Sequence, residues 1–145
     1  MSHISFSELK EWTTCPWKHK LNYIDKIKQF KGNEYTCFGT ALHTICENLV
    51  KEGIKDYDPH THFQEEFLKK LQGLKELVPD IEFNSKLVAD MRSQGDYIIQ
   101  FILPALKKSF GKFELIQVEE QLYEPIKNQN QSFKGFIDLV IYTPK

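Results

Sequence analysis

The chain has 145 residues, 41% hydrophobic and 13% aromatic, which is material for one globular core in the size range of a single domain. A formal net charge of −1 and a pI near 6.5 exclude the global basic field of a protein that coats polyanions, leaving a local patch as the only electrostatic route to them. No apolar run approaches the roughly 20 residues that span a bilayer, Met1–Ser5 opens no signal peptide, and Cys15, Cys37 and Cys46 lack disulfide or zinc spacing, so a soluble, cytoplasmic chain with reduced thiols is expected.

Helices come first. Ser5-Phe6-Ser7-Glu8 has the Ser-x-x-Glu form of a capping box and starts a short helix reaching about Trp12. Pro16 suits the first turn of a second helix running to about Ile24. In this hairpin Lys10, Lys18, Lys20, Lys26, Lys28 and Lys31 are interleaved with Trp12, Trp17, Tyr23 and Phe30. Such a mixture suits a phosphate backbone with stacked bases, and Lys18, Lys20 and Lys26 are the candidate nucleic-acid contacts. The plainer reading is a solvated face over an aromatic core.

Phe38, Leu42, Ile45 and Leu49 form the apolar stripe of the next helix, with Gly53 as its stop. His43 lies well round from that stripe, on a flank with Gly39, Cys46, Glu47 and Val50, where Glu47 is placed to orient the imidazole toward a cleft. An ordinary boundary histidine is the plainer reading. Asp56 to His62 has loop composition, and Phe63, Phe67, Leu71, Leu74 and Val78 then recur at helical spacing until Pro79. A long helical pattern from about Ser85 to Phe110 puts Leu87, Met91, Ile98 and Ile102 on one face, with Pro104 as a kink or break.

After Gly111, Leu115–Ile126 reads as a strand, Asn128–Gln131 as a turn and Phe133–Tyr142 as the returning strand. Alternation puts Ile137, Leu139 and Ile141 on one face of that last strand and Phe136, Asp138 and Val140 on the other. Both faces are largely apolar, so a central, buried strand is expected. A carboxylate there costs on the order of several kcal/mol unless a cation, donors or a water-filled cleft compensates it, or it takes up a proton. That marks Asp138 as a site candidate; the alternative is an aspartate near a sheet end, capping a loop. The fold class is α+β: one domain, mainly helical over 1–110, followed by an antiparallel β-hairpin over 111–145. Two strands alone are marginal, so the hairpin is expected to belong to a larger sheet that these residues do not complete.

The order Ser5-Phe6-Ser7, Cys15-Pro16, Gly39-x-x-x-His43, Val118-Glu119 in one strand and Gly135-x-x-Asp138 in the next resembles the RecB-like branch of the PD-(D/E)XK nuclease superfamily, which includes many phage and recombination exonucleases. The resemblance is distributed through the whole chain. It implies a restriction-endonuclease-like core sheet and a divalent-metal-dependent phosphodiesterase acting on DNA, exonuclease-type, in replication, repair or recombination. It further implies that His43 is an imidazole ligand and Asp138 a metal-binding, catalytic carboxylate. A hard oxygen donor suits Mg²⁺ or Mn²⁺, and an added imidazole tilts the pair toward Mn²⁺. The family's acid in the preceding strand falls on Glu119, followed in the family's manner by Leu122, Pro125 and Ile126. Periodicity favours its neighbour: Glu120 shares a face with Ile116, Val118 and Leu122, and Glu119 sits with Gln117 and Gln121. The plainer reading of both is a charged strand rim.

The same family continues after Gly-x-x-Asp into a strand bearing Asp/Glu-x-Lys and a Gln-x-x-x-Tyr helix, and neither pattern follows Asp138 here. Lys145 comes too soon to stand on the next strand. The expectation is part of an active site, with a protein partner or further segment completing the sheet, weak metal binding and little cleavage by these residues alone. The alternative is a non-catalytic nucleic-acid-binding or scaffold module of the same fold. Some RecB-like nucleases hold an iron–sulfur cluster through one cysteine near Cys15 and three beyond the lysine motif. Those three have no counterpart here, so no cluster is expected and Cys15-Pro16 is read as a helix start.

Overall fold

The computed structural model describes residues 3–27, 30–52 and 57–144; expectations that rest on Lys28, Gly53, Asp56 or Lys145 lie outside them. Two compact units emerge: Met1–Phe30 with Gln117–Val140, and Lys31–Ile116 with Ile141–Lys145.

The first unit opens with β1 (His3–Ser5) and α1 (Phe6–Thr14). The Ser5 hydroxyl accepts the Glu8 N–H at 3.1 Å, the N-terminal cap that the Ser-x-x-Glu spacing predicts. Cys15 is extended, at φ −157° and ψ 99°, because the ring of Pro16 disfavours helical backbone at the preceding residue. Pro16 then starts α2 (Pro16–His19), which passes into a π-helical turn over Lys20–Ile24. The helices of this hairpin are joined by polar pairs: His19 Nε2 to Glu8 Oε1 at 3.0 Å, Asn22 to Glu11 at 2.8 Å, and Lys18 to Glu11 at 3.0 Å. None of its helical residues is buried, so the aromatic core expected beneath it does not exist; Trp12 and Trp17 stand in solvent.

The strands β2 (Glu114–Pro125) and β3 (Ser132–Tyr142) form the hairpin, joined by a connection closed where Ile126 N–H donates to the Gln131 carbonyl at 3.2 Å. So short a link permits only an antiparallel pair. The sheet order is β1-β3-β2, and β1 runs parallel to β3 with His3 opposite Ser132 and Ser5 opposite Lys134. The sheet is therefore mixed rather than purely antiparallel, with β3 in the middle as expected.

Three helices make the second unit: α3 (Glu34–Glu52), α4 (Pro59–Leu77) and α5 (Ser85–Phe110). Its core is built from Cys37, Ala41, Ile45 and Leu49 on α3, Phe63, Phe67, Leu71 and Leu74 on α4, and Met91 and Ile99 on α5. The α3 stripe is thus centred one residue earlier than the expected one at its start, with Phe38 and Leu42 on its half-buried shoulder. α4 begins inside the segment that reads as a loop, because Asp58 accepts from the N–H groups of His60 and Thr61 at 3.1 and 3.3 Å and Pro59 fits the first helical position.

α5 continues through Pro104 without a break. Pro104 and Gln100, whose carbonyl loses its helical donor, are both exposed, so water can satisfy that oxygen. Its buried line runs Met91, Gly95, Ile99, and Ile98 faces out. Gly95 sits there because α4 comes close: a β-carbon at this position would lie 2.1 Å from Cζ of Phe63.

Candidate functional site

His43 projects from α3 away from the buried line of Ala41, Ile45 and Leu49, and its side chain is 44% exposed. One turn on, Glu47 Oε1 lies 2.7 Å from His43 Nδ1, the helical i,i+4 pairing that the sequence predicts. A carboxylate oxygen accepts, so in this pairing His43 donates its Nδ1–H to Glu47. This is the orientation a metal-binding histidine takes when a carboxylate supports it. The other Glu47 oxygen is 3.8 Å from Lys51 Nζ. On the same flank, burial and then the Glu47 carboxylate push the Cys46 thiol up, keeping it a neutral thiol rather than a soft thiolate ligand.

The carboxylates come from the sheet. Glu119 adopts φ 55°, a left-handed conformation that a non-glycine residue in a strand rarely takes. Side chains on either side of such a residue do not keep a simple two-residue alternation, as in a β-bulge. Here the periodicity that favoured Glu120 loses its basis: of the face assigned to it, only Val118 is buried, while Ile116 and Leu122 are exposed. Glu119 and Glu120 are both half-buried.

Asp138 stands on β3 next to β2, and its surroundings correct the expectation of a buried strand. Phe136, Ile137 and Asp138 are all exposed. Apolar residues on both faces of a strand imply two covering layers, yet within this unit α1 and α2 bury none of their own residues and β1 spans only Ser132 to Lys134 of β3. Asp138 is therefore not desolvated by the strand's surroundings as expected.

Of the sequence-derived candidates, Glu119 and Asp138 fall in the first unit, on adjacent strands, and His43 in the second. The three lysines are on the hairpin side of the first unit. Lys18 pairs with Glu11, Lys20 Nζ pairs with Asp25 Oδ2 at 2.5 Å and lies 5.4 Å from the Trp17 ring, and Lys26 has φ 56°. The Asn22 amide, and then Lys18, hold the Glu11 carboxyl below its ordinary range.

A model of the PD-(D/E)XK nuclease superfamily matches residues 3–145. The chain belongs to that superfamily. No curated protein and no solved structure gives a significant match. Nucleases of this superfamily typically use divalent metal ions on DNA. An imidazole nitrogen and carboxylate oxygens are a donor set that suits Mg²⁺ or Mn²⁺. Among the described residues no helix is long and apolar enough to cross a membrane. Two features escaped the sequence reading. The left-handed Glu119 has no glycine or asparagine to announce it, and the polar pairs that join α1 to α2 are too far apart in the sequence to be read as partners.

Proposed function

We propose that this superfamily member is a RecB-like, divalent-metal-dependent deoxyribonuclease that hydrolyses phosphodiester bonds from DNA ends in replication, repair or recombination. His43, Glu119 and Asp138 are the proposed ligands, with Asp138 and Glu119 as the catalytic carboxylates and Mg²⁺ or Mn²⁺ as the cofactor. The observation that carries this reading is the superfamily match over residues 3–145. The Glu47–His43 pair supports it, because a carboxylate hydrogen-bonded to one ring nitrogen is the usual support of a metal-binding histidine. A bound divalent cation supplies Lewis acidity to the scissile phosphate and acidifies an attacking water. The protein's own part is to orient the imidazole through Glu47 and to present the two carboxylates from adjacent strands.

In this reading the 145 residues carry part of the site, because the superfamily's Asp/Glu-x-Lys pattern does not follow Asp138 in them.

Isothermal titration with Mn²⁺ tests the ligand assignment. Weak binding to the chain that is lost in His43→Ala and in Asp138→Ala supports it, and equal binding in all three rejects it. Cleavage of end-labelled DNA tests the extent of the site: vigorous Mg²⁺-dependent digestion by these residues alone, abolished by Asp138→Ala, would show that they need no additional strand.

A further inference from the structure

The hairpin of α1 and α2 exposes apolar surface that folding alone does not explain. Trp17 is 66% exposed, Trp12 52% and Ile24 64%, in a segment whose helices bury no residue. Large exposed apolar side chains concentrated in one short segment mark a surface that meets something else.

The charges around them say what. The hairpin's acids are less exposed than its lysines and each has a partner, Glu8 with His19, Glu11 with Lys18 and Asp25 with Lys20: the side chains of Glu8, Glu11 and Asp25 are 22%, 18% and 32% exposed, against 65% for Lys18 and 47% for Lys20. What faces out is therefore indole and ammonium, with Lys20 Nζ placed 5.4 Å from the Trp17 ring. That surface is complementary to a polyanion whose own faces are flat and aromatic.

Resting on the nuclease reading above, we propose that this outward face is a stacking platform for single-stranded DNA, with Trp17 taking a base and Lys18 and Lys20 the flanking phosphates. A duplex offers no unstacked base for Trp17. Because the full field is weak, with a formal net charge of −1, stacking rather than bulk attraction sets affinity and strand form.

The test is fluorescence anisotropy of a dye-labelled oligothymidylate of about 20 nucleotides, in EDTA so that neither metal nor hydrolysis takes part. Trp17→Ala weakens binding about tenfold, Trp17→Phe keeps most of it, and Trp17→Leu does not. Lys20→Gln lowers the slope of log affinity against log salt by about 0.7, the share of one phosphate contact on a single strand. Matched duplex binds more weakly and is indifferent to Trp17→Ala. The metal takes no part in EDTA, so failure of the metal site and failure of this platform are separate results. Equal affinity of Trp17→Ala and the unaltered chain, with unchanged melting and circular dichroism, overturns the proposal. So does quenching of indole fluorescence by phosphatidylserine vesicles but not by the oligonucleotide.

Discussion

Replacing Gly95 by alanine tests how closely α4 and α5 meet. The new β-carbon would lie 2.1 and 2.2 Å from Cζ and Cε1 of Phe63, where carbon atoms rest about 3.5–4.0 Å apart. Phe63 is 0% exposed, and its ring is held between Phe38 and Phe67, each with its centroid 5.9 Å away. The ring cannot swing aside without displacing a second ring, so the cost belongs at the upper end of overpacking, about 3 kcal/mol. Against it stands the better helix propensity of alanine, about 1 kcal/mol. The net expectation is a loss of about 2 kcal/mol, lowering the melting temperature by about 4–8 °C for a chain of this size. Gly73→Ala in α4 is the control: its β-carbon would meet nothing within 4 Å, so only the propensity gain of about 1 kcal/mol is felt. Calorimetry of both variants, with Phe63→Leu added to Gly95→Ala as a rescue, decides the matter. A Gly95→Ala chain melting at or above the unaltered one would refute the packing described here.

Other consequences are open to measurement. Asn84 caps α5 by accepting the Leu87 N–H at 3.1 Å, so Asn84→Ala costs about 1 kcal/mol in urea unfolding, and no loss would mean the cap is idle. Asp58 is held below its ordinary range first by the Thr61 side chain and backbone bonds; its folded value lies below its unfolded one. Its contribution is present above the unfolded value of about 3.9 and disappears as pH falls through the folded one. Asp58→Asn, which keeps an accepting cap oxygen, therefore shows a shallower fall of melting temperature below about pH 4; identical acid profiles would contradict this. In Glu47→Gln the carboxylate supporting His43 is lost, so Mn²⁺ affinity falls about tenfold or more, while helix content by circular dichroism is unchanged. Unaltered affinity would remove Glu47 from any supporting role.

Local patterns were legible where one physical rule governs a position. The α4 stripe from Phe63 to Leu74 follows helical spacing because one face meets the core. Ser5 and Glu8 sit three apart because a cap needs that spacing. The His43–Glu47 contact follows the same logic. Three residues of β1 are too few to alternate visibly, so the parallel strand beside β3 was missed. Gly95 carries no side chain from which its neighbour could be read, and Ile98 looked like a core residue in its place. The sheet was harder still. Alternation says which side of a strand a residue takes, and nothing about whether a layer covers that side, so Asp138 looked buried and is exposed. At Glu119 the backbone itself leaves the β region, and no count of alternating residues survives that.

A shared cation is what would join these residues in one site. Crystals of the chain soaked in Mn²⁺ and measured at the manganese edge locate it directly. The prediction is one anomalous peak bound by the His43 imidazole and the Asp138 carboxylate, with Glu119 beside it. A peak elsewhere, or density that leaves His43 and Asp138 on separate ions, would contradict the nuclease assignment of these residues.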